Sequence, residues 1–493
     1  MKYIVSHYKN IETDNYITFC FEDRCLSNEH KKIFDSLKDN NLFCGKDREV
    51  YCINSFENDC VKHVIFIGLG NQEALTNEKT RLAVAEGVKI AQRQKFKDYN
   101  FLIDSDDIKY VGDINAFVEN IVKSILMTLY TYNAYTSRKN DVSVKNIKII
   151  SQLDKAILYK AILQGEALAG GVNLARDLIN DPPNYLTPTS FGEKAIEISD
   201  EYGFDVNVYD TEWLKENRFN CLIEVGKASE NTSKLIEMKY TGNPENKSYT
   251  AVVGKGVTFD SGGYNLKKSE GLEYMKSDMG GAAAVLGLMK AVSQTKQKVN
   301  IIALIPTCEN MIDGKSYRAG DVILSREGKY IEIGNTDAEG RLILADAMSY
   351  ASDMEDVELI VDIATLTGNS AVALGSVCAA TFSNDDELYK CLYAASKETN
   401  EKIWRLPLYD EYKSYLMSTV ADMKNTSSRK GAGAIVAGTF LSNFVKSKPW
   451  IHIDMASTNA SIMAMGYNPR GAKGFGVRLL FSFIKLISKD KSE

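Results

Sequence analysis

The chain has 493 residues, 44% hydrophobic and 25% charged, the balance of an ordinary soluble globular protein long enough for two or three domains. Its 65 acidic residues against 59 basic ones leave a formal charge of −6, which argues against nucleic acid as a main partner. No apolar run approaches the ~18 residues of a membrane span and the N-terminus lacks a signal-peptide core, so no membrane partner and a cytoplasmic location are expected. The nine cysteines, five of them in the first sixty residues, form no CxxC pair and are expected to be free thiols.

Residues 1–150 alternate strand-like runs (61–70, 100–104 and 144–151) with helical ones (80–94 and 115–133), which predicts a small α/β domain. The GLG at 68–70 is read as a strand-ending turn and not a dinucleotide fingerprint, because Glu73 stands where the third glycine belongs. From Ser151 to about Ile179 small and apolar positions step by three and four, a long helix with Ser151 and Asp154 as its capping start and Pro182-Pro183 beyond its end. After Pro188 helices and strands alternate again. FGEKAIEISDEYG and EWLKENRF are predicted helical, and FDVNVYD, CLIEVGKA, KLIEMKYTG and YTAVVGKG are predicted strands. The near-continuous apolar runs at 300–310 and 357–368 have the pattern of strands buried on both faces, so one mixed sheet between helices is expected. Residues 425–440, NTSSRKGAGAIVAGTF, look the most loop-like and receive no catalytic residue.

Two polar stretches interrupt this alternation. In 254–285, GKGVTFDSGGYNLKKSEGLEYMKSDMGGAAAV, Lys255 follows an apolar run, Asp260 precedes a glycine pair and Asp278 precedes another. Glycine pairs permit close backbone approach to a ligand. In NTDAEGRL, 335–342, Asp337 and Glu339 stand between a strand-like run and a helical one, where two carboxylates can aim at one divalent cation. Each residue has a bland alternative: Asp260 as an Asx turn, Asp278 or the 337–339 acids as helix caps, and Lys255 as a solvated strand end.

Together these stretches resemble the leucyl aminopeptidase family, the M17 cytosol aminopeptidases, whose hallmark is NTDAEGRL preceded by GKGxxFDSGG. The similarity begins at ARDLINDPPNYLTP, 175–188, and runs on through DIATLTG, 362–368, and WIHIDMA, 450–456. The first 150 residues match only loosely. The resemblance implies two domains: a small N-terminal α/β (macro-like) domain, 1–150, and a three-layer α/β/α catalytic domain with a mixed central sheet, 183–493. A helix at 151–182 would join them. It implies a metal-dependent peptidase with two divalent ions, Mn2+ or Zn2+. Lys255, Asp260, Asp278 and Glu339 would hold the tighter ion, and Asp260, Asp337 and Glu339 the more exchangeable one. Lys267 would be the electrophilic partner of the scissile carbonyl and Arg341 the anchor for a bicarbonate ion. Met275, Thr365 and Gly368 would line the side-chain pocket, whose wall departs from the usual HLDIAG at Met455 and Ser457.

The residues support the chemistry. HExxH is absent, and His7, His30 and His63 all lie in the N-terminal segment, so a metal would be held chiefly by oxygen ligands. His452 shares a strand face with Asp454 and is read as a core histidine. Four carboxylates balance two dications in charge, and a metal-bridging water between them would attack the peptide carbonyl. A free α-amine that coordinates one ion and bonds to Asp278 would restrict the reaction to N-terminal residues, preferentially leucine or other apolar ones. The family further implies peptide substrates and a homohexamer. DNA binding, known for some bacterial relatives, and phosphoester cleavage are the competing readings.

Overall fold

The computed structural model describes residues 2–6, 14–57, 59–103, 108–137, 144–427 and 429–489. His7, Asp104 and Ser428, which belong to stretches read above, lie outside them. The chain divides into two units, Met1–Ala169 with Met463–Arg470, and Gly170–Ile462 with Gly471–Glu493.

In the first unit the order is β1 (Lys2–Ser6), β2 (Asn15–Phe21), α1 (Lys31–Asp39), β3 (Val50–Glu57), β4 (Cys60–Gly70), α2 (Asn77–Arg93), β5 (Asp98–Leu102), α3 (Ile114–Thr128) and β6 (Asn146–Ile150). The strands pair as β1-β6-β5-β2-β4-β3, all parallel except the β3/β4 edge. That edge joins strands consecutive in sequence and antiparallel; parallel neighbours need crossovers, and helices supply them. Thr76 caps α2 by accepting from the Lys79 amide at 3.2 Å, and Asp113 caps α3 through the Asn115 and Ala116 amides. Val84 and Val88 of α2, Phe117 and Ile121 of α3, and Phe19, Ile67, Phe101 and Ile149 of the sheet close one buried core.

Helix α4 (Lys155–Asn180) begins four residues later than its sequence pattern suggests. Asp154 is its cap, accepting from the Ala156 amide at 2.6 Å, while Ser151 turns to the Leu153 amide instead.

The second unit runs α5 (Pro188–Tyr202), β7 (Asp205–Tyr209), α6 (Thr211–Glu216), α7 (Asn220–Gly226), β8 (Lys234–Thr241), β9 (Tyr249–Gly254), β10 (Gly256–Asp260), α8 (Gly280–Gln294) and β11 (Asn300–Asn310). It continues with β12 (Val322–Leu324), β13 (Tyr330–Glu332), α9 (Gly340–Asp353), β14 (Val357–Ala364), α10 (Gly368–Leu374), β15 (Ala379–Ser383), α11 (Asp386–Thr399), β16 (Ile403–Arg405), β17 (Met423–Lys424), α12 (Gly433–Leu441), β18 (Trp450–Asp454) and α13 (Val477–Lys489). A nine-stranded mixed sheet has the order β16-β15-β18-β14-β9-β11-β8-β7, with β10 also on β11. Its centre, β18-β14-β9-β11 with β10, is parallel, and β15 and β8 flank it antiparallel. All eleven residues of β11 are buried, as its continuous apolar run requires.

Alternate strand residues serve opposite faces. Ala251, Val253, Leu304 and Ile360 join Leu222 of α7, Leu344 and Met348 of α9 and Phe440 of α12 in one core. On the other face Ile363 meets Gly476 and Ala284 of α8, and the backbones of Gly171 and Gly287 are in close contact. The result is a three-layer α/β/α arrangement. A separate small sheet, β12-β13-β17, lies outside the main one.

Two sequence expectations fail here. Residues 221–228, expected as a strand, form most of α7, whose first amides at Cys221 and Leu222 donate to Asp346 Oδ2 at 2.7 and 3.2 Å. A carboxylate far along the chain supplies the cap, and Cys221, Leu222 and Val225 are buried at helical spacing. The loop expected over 425–440 contains α12, where glycine serves packing: a Cβ on Gly438 would lie 2.7 Å from the Phe382 ring.

Candidate metal centre

Lys255 follows β9, Asp260 ends β10, Asn310 ends β11, Thr365 follows β14 and Asp454 ends β18. These are the carboxyl ends of parallel strands, where open α/β sheets bind their ligands. Two loops add the remaining groups. The first, after β10, folds back through Gly262 at φ +88°, where a Cβ would sit 2.5 Å from the Asn265 carbonyl and 2.9 Å from Asp337 Oδ1. Only glycine lets this loop return Lys267 to the acids. The second, NTDAEGRL, leaves β13 of the small sheet and enters α9. There a Cβ on Gly340 would meet Lys255 Cε at 2.4 Å, so the lysine stem lies over a residue that has no side chain.

The geometry gathers most of the residues singled out from sequence. Lys255 Nζ lies 2.7 Å from Asp278 Oδ2, 2.9 Å from Glu339 Oε1 and 3.0 Å from the Thr365 carbonyl. Lys267 Nζ lies 2.8 Å from Asp260 Oδ2 and 2.5 Å from Asp337 Oδ1. Thr365 Oγ1 donates to Asp278 Oδ1 at 2.8 Å. One oxygen from each of Asp260, Asp337 and Glu339 lies within 4.8 Å of the others, and Glu339 Oε2, buried, has no hydrogen-bond partner among the described residues. Arg341, in the first turn of α9 and buried, donates from Nη1 to the Asn425 carbonyl at 2.7 Å and leaves Nε without a partner among the described residues. Met275 is half-buried, its carbonyl accepting from the Asp278 amide. Gly368 is exposed at the start of α10 with open space around its α-carbon, and touches none of the charged groups.

The bland alternatives fare unequally. Glu339 at the start of α9 makes no side-chain capping bond, the N-cap position of α8 is Met279, and the Asp278 carboxylate accepts from Lys255 and Thr365. Asp260 does form an Asx turn with the Gly262 amide at 2.9 Å, but through Oδ1 alone. His452 is a core residue: fully buried, it holds Asp362 Oδ2 at 2.5 Å, while Trp450 Nε1 donates to Asp362 Oδ1 at 2.7 Å.

Sequence reading passed over the polar side chains that hold the two loops together. Asn310 Nδ2 donates to Asp260 Oδ1 at 2.8 Å and to the Thr336 carbonyl at 3.0 Å. Thr336 Oγ1 donates to the Gly262 carbonyl at 2.6 Å, and Tyr317 donates to the Thr336 carbonyl at 2.6 Å.

Burial, then repulsion from Glu339, raises the pKa of Asp260 against the pull of Lys267 and Lys255. Burial also raises Asp278 and Asp337, each reinforced by neighbouring acids. Burial opposes the charge on Lys255, yet Asp278, Glu339 and Asp260 outweigh it and hold the ammonium above its ordinary range; Asp260 and Asp337 do the same for Lys267. Arg341 is pulled down to about 10 by burial, against Glu339 and Asp454, and stays charged at neutral pH. Four carboxylates thus face two ammonium groups, a set that further cations would balance.

Known proteins resemble the chain along nearly its whole length. The cytosol aminopeptidase family's catalytic domain matches residues 173–481, and its N-terminal domain matches residues 19–139. Probable cytosol aminopeptidases of Clostridium perfringens and Alkaliphilus oremlandii are each 38% identical to the chain, over 97% and 98% of it and 98% of each relative. Among solved structures, the bottromycin maturation enzyme BotP in complex with Mn aligns with a TM-score of 0.85 at 30% identity, covering 97% of this chain and 100% of that one. The chain therefore belongs to the cytosol aminopeptidase family, the M17 leucyl aminopeptidases, and is on that ground a peptidase.

Proposed function

We propose that the chain is a two-metal aminopeptidase that releases N-terminal residues, preferentially leucine or other apolar ones, from peptides. The observation that carries this is the convergence of Lys255, Asp260, Asp278, Asp337 and Glu339 from separate segments, with one buried Glu339 oxygen that has no hydrogen-bond partner among the described residues. A set of carboxylate oxygens with one lysine nitrogen, short of positive charge, suits divalent cations such as Mn2+ or Zn2+. When bound, such ions would supply Lewis-acid polarisation of the carbonyl and a water acidified towards neutral pH.

The chain's own groups then have distinct tasks. Lys255, whose nitrogen can ligate only once an incoming cation displaces its proton, would with Asp260, Asp278 and Glu339 hold one cation, and Asp260, Asp337 and Glu339 the other. Asp278, at the floor of the site beside Thr365, accepts a hydrogen bond from the substrate's free α-amine and so excludes internal peptide bonds. Lys267, a quarter exposed at the opening, presents fixed positive charge to the oxyanion that develops on the carbonyl. Arg341 donates from Nη1 to Asn425 and keeps Nε without a partner among the described residues, which suits binding of bicarbonate as a general base. Met275, Thr365 and the open space at Gly368 would receive an apolar side chain. A homohexamer in the cytoplasm belongs to the same reading.

Purified full-length protein should hydrolyse leucyl peptides, lose that activity on chelation and regain it with Mn2+ or Zn2+. Peptides with an acetylated N-terminus should stay intact. Turnover that survives exhaustive metal removal would overturn the proposal.

A further inference from the structure

The loop bearing Asp337 and Glu339 hangs from the small sheet, and so does one residue whose side chain has no role in the proposal above. Strand β17 pairs in parallel with β13, Met423 opposite Ile331 and Lys424 opposite Glu332. The pairing continues one step, with the Asn425 amide donating to the Glu332 carbonyl at 3.0 Å. Asn425 therefore stands beside the loop at the point where it leaves the sheet.

Its side chain is fully buried and uses both ends on the loop's backbone. Oδ1 accepts from the amides of Gly334 and Asn335 at 2.8 and 3.3 Å, and Nδ2 donates to the carbonyls of Asn335 and Ala338 at 2.7 and 3.3 Å. Those groups bracket Asp337 on both sides. The main-chain carbonyl of the same Asn425 receives Arg341 Nη1. A carboxamide is suited to this place because it offers an acceptor and a donor at opposite ends. Aspartate would set a second acceptor against two carbonyls, and glutamine would carry one methylene more into a fully buried position.

We infer that Asn425 is a positioning residue: it fixes the backbone of residues 334–338 and orients Arg341, tying the loop's carboxylates and the guanidinium into one rigid group. This rests on the metallopeptidase reading of the site. A side chain that served only stability would lower the melting temperature and leave metal affinity, turnover and coupling to Arg341 as they were.

The test compares full-length wild type, N425A, N425D, R341A and N425A/R341A. Titration calorimetry of the metal-stripped proteins with Mn2+ should show affinity roughly 10- to 100-fold weaker in N425A. Turnover on a leucyl peptide should fall by a similar factor in kcat with KM within a few-fold. N425A should cost much less when Arg341 is already absent, because the two then act through one unit. N425D, which keeps the acceptor and loses the donor, should be impaired in the same two readouts. A folded N425A with wild-type Mn2+ affinity and kcat, or a fully additive double variant, overturns the inference alone. Failure of both N425A and N425D to fold would assign Asn425 to stability and overturn it too. Wild-type protein that binds no Mn2+ would overturn the underlying reading and the inference with it.

Discussion

Two sets of carboxylates, buried except for the half-buried Asp337, lie in the same sheet unit and are held in opposite ways. Asp362 is answered by the Trp450 indole and the His452 ring, and Asp346 by the amides of Cys221, Leu222 and Arg326. Asp260, Asp278, Asp337 and Glu339 instead crowd one another around two ammonium groups, and one Glu339 oxygen has no donor among the described residues. Protein interiors satisfy most buried polar atoms, and a cluster of like charges that keeps acceptor capacity in reserve is what the proposed cation site requires. The contrast also warns that burial of an acid is no guide to function by itself.

Glu339→Gln puts the contrast to its hardest trial. Peptidase activity should fall by roughly 10³-fold or more, as expected when a dication loses a ligand. The metal-free protein should melt within a few degrees of wild type in scanning calorimetry, because repulsion is relieved as the ion pair to Lys255 is lost. A large drop in melting temperature would move Glu339 into the structural set. Asp362→Ala should do the reverse, costing about 3–5 kcal/mol in urea unfolding, since it strands a buried imidazole and indole N–H. Loss of activity with unchanged stability there would show that the line between the two sets is drawn in the wrong place.

The smallest effect concerns pH. Burial pushes Asp346 up to about 7 in the folded protein, despite its three backbone donors, whereas an unfolded aspartate titrates near ~3.9. The folded state therefore binds this proton more tightly. Its contribution to stability is complete below the unfolded value and is lost as pH rises through the folded one. Between pH 6 and pH 7 wild type should lose roughly 1 kcal/mol relative to Asp346→Asn, whatever the variant's absolute stability. Parallel slopes for the two proteins would show that Asp346 is ionised throughout.

What could be seen in the sequence was local. The apolar runs that became β11 and β14 carry their burial in their own composition, and the glycine pair after Asp260 announces a loop that must fold back on itself. The acids and lysines of the two motifs could be quoted directly from the sequence. Helix α7 could not, because its capping group is Asp346, over a hundred residues away. Helix α12 could not either, since its glycines and alanines resemble turn residues until Phe382 is known to lie against them. Asn310, Thr336 and Asn425 were hidden for the same reason: a buried amide or hydroxyl has no pattern in sequence, and its partners exist only once the sheet has brought them near.

Helix α4 has a practical consequence for anyone who would dissect the protein. It gives Leu158, Ala161 and Ile162 to the core of one unit and rests Gly171 against Gly287 in the other, with the division falling between Ala169 and Gly170. A fragment begun at Gly170 opens in mid-spiral, stripped of the Asp154 cap and with its leading amides bare. One begun at Lys155 brings a greasy stripe into water, an invitation to aggregate. No scissor point along this rod is neutral, so excised pieces should be judged by their solubility before their chemistry is believed.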